Sequence, residues 1–389
     1  MEIFKNTHFD FLGKKWPFII ASLVLTAAGL VSLLMKGGPR YGIDFNGGTS
    51  TTVAFVTDPN EEEIRRVLSA KIPGGEIVVQ KIQGQNEVMI GSEVQDETQL
   101  NSAREAIYSG LAEKFQSDRT KMDINNSGQA AIADKVRDGL SRAGVNLSEN
   151  QLQDLIKAIL QFRDSRHGII PSFDALTGVA GVTPAVIGVL KNELTAAPYN
   201  IRHFDLVGPK VGRELRTQAL TATLLALAGM LLYVALRFEF VYGAAAVIAV
   251  FHDTIITIGL FSIFNKQIDL PVIAALLTLV GFSMNDTIVV FDRIRENLKL
   301  MRKESLYNII NASINQTLSR TILTSGLTLL TALSLFFFGG PVLHGFSFAL
   351  VFGILVGTYS SIFIASPILV AWQEWSAARV SAAKVAGTK

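Results

Sequence analysis

The stretch Leu270–Phe291 reads LPVIAALLTLVGFSMNDTIVVF, an apolar run broken by one charged side chain, Asp286. A helix needs about 20 such residues, rising about 1.5 Å each, to cross a hydrocarbon core of roughly 30 Å. The run is long enough to span a bilayer. A carboxyl inside it is costly, by about 2.5–3.5 kcal/mol near the centre on insertion scales, and is a functional candidate for that reason. If the helix leaves the membrane at Arg293, Asp286 lies about 10 Å inside. Lost hydration there opposes charge, so the group is a candidate for taking up and releasing a proton.

Working outward, five more runs of this kind appear. Pro17–Met35, Ala219–Leu236 and Phe240–Phe264 precede it, and Thr321–Phe338 and Leu343–Trp372 follow. The 389 residues are 49% hydrophobic and only 17% charged, against about 25% charged in soluble domains. The first run follows Lys5, Lys14 and Lys15 as a signal peptide would. Its apolar stretch is too long for one, and Met35-Lys36-Gly37-Gly38 stands where a small-residue cleavage site belongs, so it reads as an uncleaved anchor.

Six spans place both ends of the chain on one side. Arg293, Arg295, Lys299, Arg302, Lys303 and Arg320 fall between the fourth and fifth runs, and Arg379, Lys384 and Lys389 lie in the tail. Asn265–Asp269 and Gly339–Pro341 hold one positive residue between them. Positive residues stay on the cytoplasmic side, which predicts this organisation: a cytoplasmic N-terminus (1–16), a first helix (17–36), an exported, periplasmic domain (37–217), five helices (218–372) with a basic cytoplasmic loop at 292–320, and a cytoplasmic tail (373–389).

Within the exported segment, Thr49–Val56 is rich in Thr and Val and reads as a strand. Asn60, or Asp58 before Pro59, starts a helix over Glu61–Lys71 whose acid-first order suits the helix dipole. Ile77–Ile82 and Glu87–Ile90 read as a hairpin around Gly84, Glu97–Phe115 as a second helix, and Tyr199–Leu206 as a last strand. The order β-α-β-β-α-β predicts an α+β, ferredoxin-like unit. It carries a helical insertion at about 117–198, with helices expected over Ala130–Ala143, Ser148–Phe162 and Phe173–Leu190. Gly178-Val179-Ala180-Gly181-Val182-Thr183-Pro184 resembles the turn of a helix-hairpin-helix. That turn also serves as a packing device, and an exported location argues against nucleic acid.

Arg320 starts the fifth run at the same side as Asp286. Thr324, Thr328, Thr331 and Ser334 follow it at spacings of three or four, so one helix face is polar along its length. Arg320, this hydroxyl face, Asn285 and Asp286 form a candidate proton pathway. The alternative is that each hydroxyl bonds the carbonyl four residues back. In the third run, His252 and Asp253 are a second proton-handling pair, an electrostatic partner to the Arg320 region, or an interhelical hydrogen bond worth about 0.6–2 kcal/mol. Gly353 and Gly357, and the Ala222–Ala226–Gly229 series, are small-residue faces suited to close helix packing.

With no cysteine, the chain has neither disulfides nor thiolate metal sites. It lacks GxxxxGK[ST] and GxSxG, and its five histidines are scattered, so neither an ATPase nor a hydrolase signature is present. A net charge of +2 says little about partners.

Several motifs together resemble one family. They are Tyr41-Gly42-Ile43-Asp44-Phe45-Asn46-Gly47-Gly48-Thr49, Val207-Gly208-Pro209-Lys210-Val211-Gly212, Gly281–Asn297 around Asp286, and Asn315-Gln316-Thr317-Leu318-Ser319-Arg320-Thr321. Leu236-Arg237-Phe238-Glu239 and Phe251-His252-Asp253 agree with them. The chain resembles SecF, of the resistance-nodulation-division superfamily, outside the insertion. The resemblance implies a protein-export subunit of the bacterial inner membrane that pairs with SecD beside SecYEG, with YajC a further candidate partner. It implies use of the proton-motive force to move an unfolded polypeptide, with H+ as coupling ion and no other cofactor. Asp286 would carry the proton and Arg320 would respond to it. Asp44, Gly47 and Gly48, with Gly208 and Gly212, would brace the exported domain. The competing readings are a half-size lipid or small-molecule exporter of the same superfamily and a passive scaffold.

Overall fold

The structure, a computed structural model, describes residues 7–72, 77–82, 86–93, 96, 98–237, 240–372 and 375. The turn at Gly84, the helix start at Glu97, Phe238-Glu239, Lys5 and the tail residues Arg379, Lys384 and Lys389 lie outside the described residues. The chain divides into two compact units, Met1–Gly42 with Arg216–Lys389, and Ile43–Leu215.

The first unit opens with α1 (Lys15–Met35). The second begins with a single turn, α2 (Ile43–Asn46), followed by β1 (Gly48–Phe55) and α3 (Glu61–Ser69). Asn60 caps α3, its Oδ1 accepting from the Glu63 N–H at 3.2 Å. Then come β2 (Ile77–Ile82), β3 (Glu87–Glu93) and α4 (Thr98–Phe115). With β6 (Tyr199–Val207), reached after the insertion, they complete a sheet in the order β2-β3-β1-β6, every pair antiparallel. Alternation sends Val53 and Phe55 of β1, and Val88 and Ile90 of β3, to one face. There they pack with Ile64 and Leu68 of α3 and Ile107 and Leu111 of α4.

The insertion has a core of its own. It runs through β4 (Met122–Asp123), α5 (Gln129–Arg142), α6 (Glu149–Ser165), α7 (Pro184–Glu193) and β5 (Leu194–Thr195), with β4 and β5 paired in parallel. Ile132, Val136 and Leu140 of α5 recur at helical spacing and meet Leu152, Ile156 and Ile159 of α6 and Leu190 of α7. Ser148 and Gln151 form a reciprocal capping box at the start of α6. Asn125, fully buried, accepts from the Ile170 N–H at 2.8 Å and donates to the carbonyls of Ile170 and Ala197 at 3.1 and 2.7 Å. Its side chain thus pins three separate strands of chain. The helix expected over Phe173–Leu190 is broken: Phe173–Gly178 is a 3-10 turn and α7 starts only at Pro184. Gly181 takes a positive φ of 82°, and Pro184 then opens α7 with Thr183 as its cap.

The first unit resumes with α8 (Pro209–Arg237), α9 (Phe240–Ile263), α10 (Leu270–Leu300), α11 (Leu306–Phe338) and α12 (Gly340–Ser360), which continues through a π-turn at Ser361–Ala365. Among the described residues, six helices are long and apolar enough to cross a membrane. Most of α9 and α12 is buried, while α1, α8 and α11 present most of their length outward. The 292–320 stretch, expected as a loop, is helical except at Met301–Ser305. Buried Ile294, Ile310 and Ile314 hold both helix ends against the core, and Ser305 Oγ caps α11 by accepting from the Asn308 N–H at 3.2 Å.

Glycine sets two helix contacts. A Cβ on Gly29 of α1 would lie 2.7 Å from Gly259 Cα of α9, so the two backbones touch there. Gly353 and Gly357 of α12 face Leu279 and Ser283 of α10. Gly229 of α8, by contrast, has no neighbour within 4 Å of an added Cβ.

Candidate functional site

A polar cluster lies inside the helical unit, organised about α10. Ser283, Asp286 and Thr287 are buried on α10 and point to different neighbours. Toward α9 and α12, Ser283 Oγ donates to Asp253 Oδ2 at 2.6 Å, and Ser360 Oγ donates to the same oxygen at 2.8 Å. The other oxygen, Oδ1, is 2.8 Å from His252 Nδ1, and His252 Nε2 meets Ser22 Oγ of α1. Thr287 and Ser361 hydroxyls pair at 3.0 Å. Helices α10 and α12 therefore meet α9 at Asp253, and α1 is tied in through His252. Just beyond Ser360, the wider turn at Ser361–Ala365 leaves Ser366 Oγ to bond the Ser361 carbonyl five residues back, at 2.9 Å.

Toward α11, the neighbour is different. Ser325 Oγ donates to Asp286 Oδ2 at 2.9 Å, and both residues are buried. Arg320 is exposed and forms no ion pair with Asp286 among the described residues, but its positive charge still acts on that carboxyl. Asn285 is exposed as well. Thr324, Thr328 and Thr331 donate to the carbonyls of Arg320, Thr324 and Leu327 at 3.0, 2.8 and 3.1 Å. Their hydroxyls are thus satisfied within α11, on a face that carries Arg320 and turns outward. Sequence reasoning missed Ser325, Ser283, Ser360 and Ser22. A lone serine in an apolar helix carries no periodic signal, and its role depends on which carboxylate packs against it.

In the αβ unit, the family glycines meet at one backbone crossing. Gly47 and Gly48 have φ of 77° and 142°, and a Cβ on Gly47 would lie 2.7 Å from Pro209 Cα. A Cβ on Gly48 would lie 2.2 Å from the Ser92 carbonyl oxygen, and one on Gly212 would lie 3.0 Å from Gly47 N. Gly208 accepts the Gly212 N–H at 2.9 Å, opening α8. Asp44 sits half-buried in the single turn α2. Among the described residues no group of three His, Asp or Glu side chains is placed to hold a metal.

The chain as a whole, helical unit and αβ unit, resembles known proteins. Residues 189–375 match the family described as protein export membrane protein SecD/SecF, C-terminal. The chain is 48% identical over 396 residues to the protein translocase subunit SecF of Koribacter versatilis, covering 98% of this chain and 96% of that one. It is 36% identical over 383 residues to the SecF of Magnetococcus marinus, covering 98% of each. Among solved structures it is similar to SecDF, a translocon-associated membrane protein from Thermus thermophilus, with a TM-score of 0.62 and 32% identity over 95% of this chain. The chain spans 39% of the length of that SecDF. The chain belongs to the SecF family of protein translocase subunits, and it is a multi-pass membrane protein.

Proposed function

We propose that this chain is an accessory subunit of the Sec translocon, pairing with a SecD-type subunit beside SecYEG and drawing on the proton-motive force to assist export of unfolded polypeptide. The observation that carries the reading is Asp286, a carboxyl 2% exposed inside a spanning helix, with one serine hydroxyl as its side-chain partner among the described residues. A carboxylate so placed is costly unless it can be neutralised by a proton. Asp286 is the proton carrier. Arg320, exposed beside Thr324 and Thr328, is the charge that responds to it, and its Coulombic action on Asp286 supports that reading. The proton is the coupling ion, and YajC is a further candidate neighbour.

The orientation follows the positive residues: both ends of the chain and the Arg293–Lys303 region face the cytoplasm of a bacterial inner membrane, and residues 37–217 face outward. The strand order β2-β3-β1-β6 with two helices on one face supports a ferredoxin-like reading of that domain, with 117–198 as its insertion. The deciding experiment is Asp286→Asn in cells depleted of the native protein, with membrane abundance checked. Asn keeps the size and a hydrogen bond but carries no proton. Lost export at normal abundance supports the carrier role; full rescue refutes it.

A further inference from the structure

The segment ahead of α1 is held by a row of side chains on α11. Asn315 treats Phe9 as a neighbouring strand would: its Oδ1 accepts from the Phe9 N–H at 3.0 Å and its Nδ2 donates to the Phe9 carbonyl at 2.8 Å. One turn earlier, Asn311 Oδ1 accepts from the Phe11 N–H at 2.9 Å, and its Nδ2 donates to Asp10 Oδ1 at 3.2 Å. One turn earlier again, the Tyr307 hydroxyl donates to Asp10 Oδ1 at 2.7 Å. The spacing of four puts all three on one helix face. Behind them Leu12 is 1% exposed, in the same core as Ile310, Ile314 and Leu318. Phe11 meets Phe363 of the π-turn edge-on at 6.0 Å, and Phe18 stacks on the same ring at 3.8 Å.

This face points onward to the carboxylate. At about 3.6 residues per turn, Ser325 stands roughly five turns beyond Tyr307 and so returns to the same side of α11. Arg320 does not; it falls on the outward side. The rotation of α11 about its axis therefore decides which residue Asp286 meets. A rotation of about 20° at the roughly 5 Å radius of a helix surface moves a side-chain atom nearly 2 Å, enough to break a hydrogen bond.

We propose that Phe9–Leu12 is a positioning strap, gripped by Tyr307, Asn311 and Asn315, that fixes the rotation of α11 and so holds Ser325 within reach of Asp286. Asn315 is its principal positioning residue, because it alone bonds the main chain of the strap in both directions. The functional consequence rests on Asp286 as proton carrier; the rotation itself does not.

Two measurements on the full-length protein in its membrane separate these. The chain has no native cysteine, so Asp286→Cys with Ser325→Cys reports the approach of α10 to α11 by the rate of disulfide formation. Adding Asn315→Ala lowers that rate at least about tenfold if the strap sets the rotation; an unchanged rate overturns the proposal whatever Asp286 does. Separately, Asn315→Ala with native Asp286 and Ser325 shifts the pH profile of export by about one pH unit, which corresponds to a tenfold change. A Phe9→Cys, Asn315→Cys pair restores the profile when oxidised and loses it on reduction. Should Asn315→Ala fail to accumulate, Tyr307→Phe with Asn311→Ser weakens the same grip more gently and is read in the same two ways. A changed disulfide rate with an unmoved pH profile leaves the strap standing and removes the Ser325 bond from the tuning of export, while Asp286→Asn decides the carrier role by itself.

Discussion

Ser325 Oγ lies 2.9 Å from Asp286 Oδ2, a hydrogen bond between α11 and α10 whose two residues are 5% and 2% exposed. A hydrogen bond to a charged group contributes about 1.5–3 kcal/mol, equivalent to about one to two pH units. Ser325→Ala is therefore expected to move the pH of half-maximal export by that amount, while Ser325→Thr retains it. Export into inverted membrane vesicles across a pH series measures the effect. An unmoved profile in the alanine variant would reduce the bond to a packing contact.

Asp253 differs from Asp286 in the number of groups that hold it. Two serines and His252 converge on its carboxylate from α9, α10 and α12, with Ser22 of α1 behind the histidine. Stripping one partner from a buried charged network costs about 3–5 kcal/mol. Asp253→Ala is expected to lower the thermal stability of the purified protein markedly, and Asp253→Asn much less. Equal melting temperatures for all three proteins would deny the network a structural role.

Gly29 and Gly259 are the point where α1 and α9 touch. A Cβ on either would lie within 2.7–2.8 Å of the other's backbone, and overpacking of this kind costs about 1–3 kcal/mol. Gly29→Val should force α1 away from α9, seen as weaker cross-linking between cysteines placed at Ser32 and Ser262, whose hydroxyls are 2.8 Å apart. Cross-linking at the original rate would contradict a backbone contact.

Asp123 in the insertion is held above its ordinary value of 3.8 by burial, opposed by N–H donors from Ala197 and Asn125 and by the Asn126 amide. A folded-state value above the unfolded one means that the folded chain binds the proton more tightly. Its contribution to stability is present below 3.8 and lost as pH rises through the folded value. Hydrogen exchange at Ile124 and Ala197 should accordingly quicken, relative to Asp123→Asn, as pH increases above that range, after correction for the intrinsic pH dependence of exchange. A constant difference between the two proteins would count against it.

The sequence alone determined the six spans, because a bilayer demands long apolar runs and nothing else in the chain supplies them. It also singled out Asp286 and Asp253, since carboxylates in such runs are rare and costly. Thr- and Val-rich composition and the start signals at Asn60 and Ser148 marked the first strand and the helix starts of the αβ unit. Other features needed the tertiary structure. Spacing shows that Arg320, Thr324 and Thr328 share a face of α11, but not which face turns inward, and packing turned that one outward. The strap, the π-turn at Ser361–Ala365 and the Gly29–Gly259 contact depend on pairs of residues far apart in sequence. Periodicity reports only what lies along one helix; the partner of a buried carboxylate is decided by how neighbouring helices rotate to fill space.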